Sequence, residues 1–241
     1  KSRLDRLSAI IAALRPIASI CAADDPSAQF VLTPTRLVLR LRSGLPPEPD
    51  ATAAARLDSA LPLAQTLCRA PDRLEIVLDE CPDLAALASV LRSEAEACRC
   101  GAPHAMARLV EAMLVIALRR AVDAAPPAPG LLAGLSHSRL HRALVAIHDR
   151  PGAPWTVEAL AAEAGMSRSR FMAGFTEAIG VSPMAYVTQW RLELARDALA
   201  RGVSMKEVAH RLGYRSVAGF RRAWQRQSGG FLIDDDGQHE P

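Results

Sequence analysis

The sequence predicts an α+β protein, with a mixed amino-terminal half ahead of an all-α carboxy-terminal half. Three observations carry that expectation. Residues 156–224 state one helical pattern twice. Short apolar runs between residues 30 and 42 alternate with the period of strands. The charge is also unevenly divided. Residues 136–228 carry 14 Lys and Arg against 7 Asp and Glu, a net +7, whereas residues 1–135 carry 15 of each. At 241 residues, half of them hydrophobic, the chain is long enough for two cores.

In chain order, Leu4, Leu7, Ile10 or Ile11, and Leu14 mark a short amphipathic helix closed by Pro16. Phe30, Val31 and Leu32 read as a strand. So does the run in which Leu37, Leu39 and Leu41 alternate with Val38, Arg40 and Arg42. Arg36, Arg40 and Arg42 share one face of it, either a solvent face or an anion-binding wall. From Ala51 the pattern turns helical, over 51–60, 83–98 and 104–122, with Leu74 to Leu78 open to strand or helix. The helix around Leu109, Met113 and Leu118 is apolar on more than one face, which suits a domain centre or a helix-pair dimer interface. Residues 124–135 read as a Pro-rich linker, and residues 137–148 as the first helix of the carboxy-terminal domain.

The repeat aligns Thr156, Ala161 and Gly165 with Ser204, Ala209 and Gly213. One residue is then inserted, and Ser167, Phe171 and Phe175 align with Ser216, Phe220 and Trp224. Thr156 and Ser204 are N-cap residue types, and Ser204 with Glu207 fits a capping box. Gly165 and Gly213 stand where a helix end favours left-handed backbone. Two helices joined by such a turn form a helix-turn-helix, whose second helix enters the DNA major groove. One copy alone is common in domains that touch no DNA; two in register, with basic outer faces, point to a duplex.

With Phe171, Phe175, Phe220 and Trp224 inward, the outward residues are Arg168, Ser169, Met172, Ala173 and Thr176 in the first unit, where Arg170 is a further DNA-binding candidate. In the second they are Arg215, Val217, Ala218, Arg221, Arg222 and Gln225. Arg221 and Arg222 suit bidentate contact with guanine. Arg168, Arg170 and Arg215 lie near helix starts and suit phosphates, which position without specifying. Between the units, Ser182 and Pro183 open a long helix with an apolar stripe at Val187, Trp190, Leu194, Ala198 and Leu199. Its length of ~28 Å approaches the ~34 Å turn of a duplex.

This arrangement, with Arg191, Leu192, Ala195, Ala198 and Leu199 on the connector, then Val208, Ala209, Gly213 and Tyr214, resembles the AraC/XylS family of bacterial transcription regulators. The resemblance covers residues 136–228 and departs after Ser228, where the family's usual Gly-x-x-Pro-x-x-Tyr-Arg ending is missing. The amino-terminal half is similar to the cupin-type sensor of some members through Leu109, Val110, Met113, Leu114, Ala117, Leu118 and Arg119. With only two or three strands legible, the implied β-barrel is incomplete. The resemblance implies a sensor and dimerisation domain over 1–123 and a DNA-binding domain over 136–228, while Asp234, Asp235, Asp236 and Glu240 mark 229–241 as an acidic tail. It further implies promoter DNA, RNA polymerase and a small-molecule or oxidant effector as partners of a cytoplasmic homodimer.

No catalytic set, phosphate loop or bilayer-length apolar run is legible, and the family's His-x-His metal motif is absent, so neither enzyme, cofactor nor metal is expected. Five cysteines at irregular spacing do not make a secreted disulfide framework. Cys98 and Cys100, with Arg99 between them, are candidates for redox sensing. Cys21 joins them because some similar regulators carry an oxidant-responsive cysteine at that place. The plain alternative is that all three are small core residues. An interaction module with weakened DNA contacts is the other reading of the whole chain.

Overall fold

The computed structural model describes residues 5–42, 45–58, 72–97, 99–124 and 128–228. They fall into two compact units, one within residues 14–136 and one of residues 5–13 with residues 137–228. The acidic tail over 229–241 lies outside the described residues.

The Leu14–Ser136 unit is an antiparallel sheet backed by helices. Its strands are β1 (Ile17–Cys21), β2 (Phe30–Leu32), β3 (Arg36–Arg40), β4 (Ala53–Asp58) and β5 (Arg73–Val77), in the spatial order β1-β4-β2-β3-β5. Among the described residues there are five strands, against the two or three legible beforehand. Partners across the ladders share a face. Ala55 pairs with both Ile20 and Phe30, and Phe30 pairs with Leu39, so these residues line one side. Cys21, Ala54, Val31 and Val38 line the other. Both sides are covered. Phe30, Leu37, Val38 and Leu39 are all at most 1% exposed, which is why β3 shows no wet face despite its alternating sequence.

The helix expected over 51–60 is strand β4. Alanine is the strongest helix former, but intrinsic propensity is a weak determinant that tertiary pairing overrides. β4 is hydrogen-bonded on both sides, and its small Ala53, Ala54 and Ala55 fit the tightly covered centre of the sheet.

Helices α2 (Pro82–Ala97) and α3 (Ala102–Asp123) follow the sheet. The apolar surface of α3 is used as a domain centre, with Met106, Val110, Met113, Leu114, Ala117 and Leu118 buried. Glu111 on α3 accepts the edge N–H of Ala18 at 3.2 Å, which satisfies a free donor on β1. Within the expected linker, Leu131–Ser136 form α4, and burial of Leu131, Leu132 and Leu135 removes that stretch from solvent.

The arginines of β3, and Arg42 just beyond its end, are each engaged. Arg40 is 3% exposed and donates to the carbonyls of Ala28 and Leu45, while Arg36 pairs with Glu75 at 3.1 Å and Arg42 with Asp72 at 3.4 Å.

In the second unit, α1 (Ser8–Leu14) opens the chain, with Asp5 accepting the N–H groups of Leu7 and Ser8. Residues up to Ala13 group with the carboxy-terminal helices rather than with the sheet. Those helices are α5 (Leu140–Asp149), α6 (Val157–Ala164), α7 (Arg168–Ile179), α8 (Pro183–Ala200), α9 (Met205–Arg211) and α10 (Val217–Ser228).

Candidate nucleic-acid interface

The two repeats build the same object. In the first, Thr156 accepts the N–H of Ala159 at 3.1 Å and caps α6. Gly165 then takes a φ of 62°, and the N–H of Met166 reaches back to the carbonyl of Ala161 at 2.9 Å. In the second, Ser204 accepts the N–H of Glu207 at 3.3 Å, Gly213 takes a φ of 76°, and Tyr214 reaches back to Ala209 at 2.9 Å. The six-to-one bond over a left-handed glycine is the Schellman stop, and it occurs at matched positions of both copies. Ser216 caps α10 through the N–H of Gly219 at 3.1 Å, whereas Ser167 makes no such bond at the start of α7.

Aromatic packing sets how the second helix of each unit is rotated. Phe171, Phe175 and Ile179 are fully buried, and so is Phe220, with Trp224 at 9%. Phe171 meets Phe175 at 5.4 Å and Phe175 meets Tyr186 at 5.8 Å between ring centroids; Phe220 meets Trp224 at 5.7 Å and Tyr214 at 5.3 Å. Edge and tilted contacts of this kind add to area burial.

With those faces turned in, the others point out. Arg168, Ser169, Arg170 and Ala173 on α7 are exposed, as are Ala218, Arg222 and Gln225 on α10 and Arg215 before it. Met172, Val217 and Arg221 are half-buried. Two of the arginines are occupied. Arg168 pairs with Glu158 of α6 at 2.7 Å. Arg221 directs its Nε at the sulfur of Met205 on α9, 3.2 Å away. Arg222 therefore stands further out than its neighbour. Glu158, with a backbone bond and Arg168 beside it, has its carboxyl held below the usual range.

The connector α8 is 18 residues long, about 27 Å, and opens as expected with Ser182 accepting the N–H of Ala185. It serves both units rather than presenting the one stripe expected from its sequence. Tyr186, Val187 and Trp190 are buried on the first unit's side. Leu192 and Ala195 lie in the core of the second with Val208, Ala209, Phe220 and Trp224, and Leu194, Ala198 and Leu199 are half-buried against that core.

Sequence reasoning named Arg191 only within the resemblance, without a role, and gave none to His148. Arg191 is half-buried and bonds to loop carbonyls, while His148 is fully buried beside Tyr186 and Trp190. A basic or imidazole side chain within an apolar helical pattern was the available signal.

Of the redox candidates, Cys21 is half-buried, and burial followed by Asp25 pushes its thiol up, against the thiolate. Cys100 is exposed, and Cys98 lies outside the described residues. Among the described residues no three of His, Cys, Asp or Glu gather as a metal set, and no helix is long and apolar enough to cross a membrane.

Two capped helix-turn-helix units on one connector, each with a buried aromatic side and a basic outer side, define a domain of the DNA-reading class. Sequence similarity to a family model and to curated regulators agrees. The family described as "Helix-turn-helix domain" matches residues 160–230. A Streptomyces lividans protein described as AraC-like is 40% identical over 119 residues, 48% of this chain and 39% of its own length. The HTH-type transcriptional regulator AlkR of Acinetobacter baylyi is 41% identical over 97 residues, 40% of this chain and 32% of AlkR. The solved DNA-binding domain of AdpA, in complex with a target DNA, is 30% identical over 39% of this chain and 86% of that domain, with a TM-score of 0.37. The carboxy-terminal part of this chain belongs to the AraC-type helix-turn-helix family. The matches span well under half the length of the two regulators, and the relatives are regulators of transcription rather than enzymes.

Proposed function

We propose that the chain is a sequence-specific transcription regulator whose two helix-turn-helix units read successive major-groove segments of one duplex. The observation that carries this reading is the matched pair of Schellman-stopped units with exposed Arg168, Arg170, Arg215 and Arg222 opposite buried aromatic faces. Arg222 and Gln225 contact base edges, with Arg221 swinging off Met205 to join them. Arg168, Arg170 and Arg215 hold phosphates, and Ser169, Met172, Ala173, Val217 and Ala218 meet sugars or thymine methyls. The amino-terminal unit acts as sensor and as homodimer contact, and RNA polymerase is the downstream partner. The raised thiol of Cys21 favours a small-molecule signal over oxidation at that residue.

Footprinting across the source genome, with and without candidate effectors, tests the reading. Discrete sites sharing one motif, with occupancy that responds to an effector, are expected. Uniform occupancy without a motif contradicts it.

The pairing of Arg168 with Glu158, and Met172 and Ala173 as the residues left at the middle of the α7 face, favour a second reading, in which α10 alone binds DNA and α7 docks protein.

A further inference from the structure

The turn of the second helix-turn-helix unit does not touch the first only through the connector. The loop of Pro151, Gly152 and Ala153, which leads from α5 into α6, lies directly against the turn at Gly213. No side chain separates the two backbones. A Cβ on Gly213 would collide with the carbonyl oxygen of Gly152 and stand 2.9 Å from its carbonyl carbon. A Cβ on Gly152 would collide in turn with the carbonyl oxygen of Arg211 and stand 3.3 Å from its carbonyl carbon. The φ of 76° at Gly213 already favours glycine there; at Gly152 the close approach is the reason.

Arg191, near the middle of the connector, brackets the same contact. Its Nε donates to the carbonyl of Pro151 and its Nη2 to the carbonyl of Ala153, both at 2.7 Å, so the planar fork spans Gly152. The other side of the guanidinium faces the ring of Tyr214, the residue after Gly213, at 5.7 Å. Tyr214 meets Phe220 of the reading helix α10 edge-on at 5.3 Å. A continuous path therefore runs from the first unit's loop through Arg191 and Tyr214 to the helix that faces DNA. Turning the second unit relative to the first opens the glycine contact, and, because Leu192 and Ala195 tie that part of the connector to the second unit's core, it also pulls Arg191 off both carbonyls.

We infer that Arg191 and the contact of Gly152 with Gly213 fix the spacing between the two DNA segments that the chain accepts. They are positioning residues, which select operators by the distance between base blocks rather than by the bases themselves. The inference rests on the reading that both units engage one duplex. Adding one base pair between the blocks turns one segment by about 35° and moves it ~3.4 Å relative to the other. A clamped pair of units cannot follow that change, whereas an unclamped pair bends at the connector.

The test is selection of binding sites from a randomised duplex pool by the full chain and by its Arg191→Ala, Arg191→Lys and Gly152→Ala variants. Affinities for the selected site and for the same site lengthened or shortened by one base pair complete it. The wild type is expected to enrich two base blocks at one spacing and to lose about tenfold or more in affinity when that spacing changes, as when one unit forfeits its base contacts. Arg191→Ala and Gly152→Ala are expected to enrich the same blocks over several spacings and to lose less than about threefold. Arg191→Lys keeps the charge but not the fork, so it is expected to relax spacing as well; it also decides the matter if the alanine variants fold poorly. A folded Arg191→Lys or Gly152→Ala chain with the wild-type spacing penalty overturns the inference while the double reading stands. Enrichment of only one block by the wild type overturns the double reading, and the spacing role falls with it.

Discussion

The Nε2 nitrogen of His148 lies 2.7 Å from the hydroxyl of Tyr186, inside the core that joins α5 to the connector. Trp190 packs tilted on the imidazole at 4.5 Å. Burial alone drives the ring's pKa down from 6.5 to about 3, so it is neutral in the folded protein.

That burial predicts a pH dependence. The unfolded chain binds a proton at His148 near pH 6.5, and the folded chain does not until about pH 3. Unfolding therefore takes up a proton between those values, and stability falls as pH falls through that window. The slope is about 1.4 kcal/mol per pH unit, or ~2 kcal/mol between pH 6.5 and 5. His141, also lowered by burial, adds to the same window, so the comparison is between wild type and His148→Gln. Glu75, whose pKa is lowered by Arg73, loses its contribution only below about pH 4.5. Urea midpoints at pH 7 and pH 5 should converge between the two proteins; parallel midpoints would mean that His148 is not held neutral.

The arginines of α10 separate into different roles. Arg222→Ala should cost about 1–3 kcal/mol of binding and relax preference at one base position. Arg221→Ala should cost less, because contact with Met205 already holds that side chain back. Arg215→Ala should weaken all duplexes alike and reduce the salt slope by about one. Competition gel shifts against single-base variants of a selected site measure all three; equal effects at Arg221 and Arg222 would contradict the geometry.

The caps make a stability series. Thr156→Ala and Ser216→Ala each remove a bond to a helix-start N–H and should cost about 1 kcal/mol. Ser167→Ala removes no such bond and should stay within about 0.5 kcal/mol of wild type. Denaturant unfolding at neutral pH reads the difference, and a Ser167 cost equal to that of Thr156 would show a cap that the geometry lacks.

Cysteine chemistry should follow exposure. Iodoacetamide at pH 7 should label exposed Cys100 before Cys21, whose thiol is half-buried and held protonated by burial and Asp25. Peptide mass spectrometry gives the order, and faster labelling at Cys21 would restore it as a redox candidate.

The carboxy-terminal half was legible in the sequence because its signals are local. A cap, a glycine stop and two aromatics at helical spacing recur 48 or 49 residues apart, and each needs only its neighbours to form. The sheet was less legible because its partners are distant. Ala53, Ala54 and Ala55 read as helix, yet bonds from β1 and β2 make them a strand, and no local feature announces such partners. The same limit applied at the interface. The spacing of Phe220 and Trp224 put Arg221 and Arg222 outward together, but Met205 comes from another helix and separates them. Arg191 entered only as part of the connector's family resemblance, and no local feature announced that the fold would bring Pro151 and Ala153 to it.

The most direct measurement of the central claim is the affinity of the full chain for a duplex carrying its selected site, from 50 to 200 mM salt. Two basic helices in successive grooves, with about six phosphates neutralised, predict that log affinity falls against log salt with a slope of about −5. A slope shallower than about −1 would contradict the account, because it leaves no room for two units on one duplex.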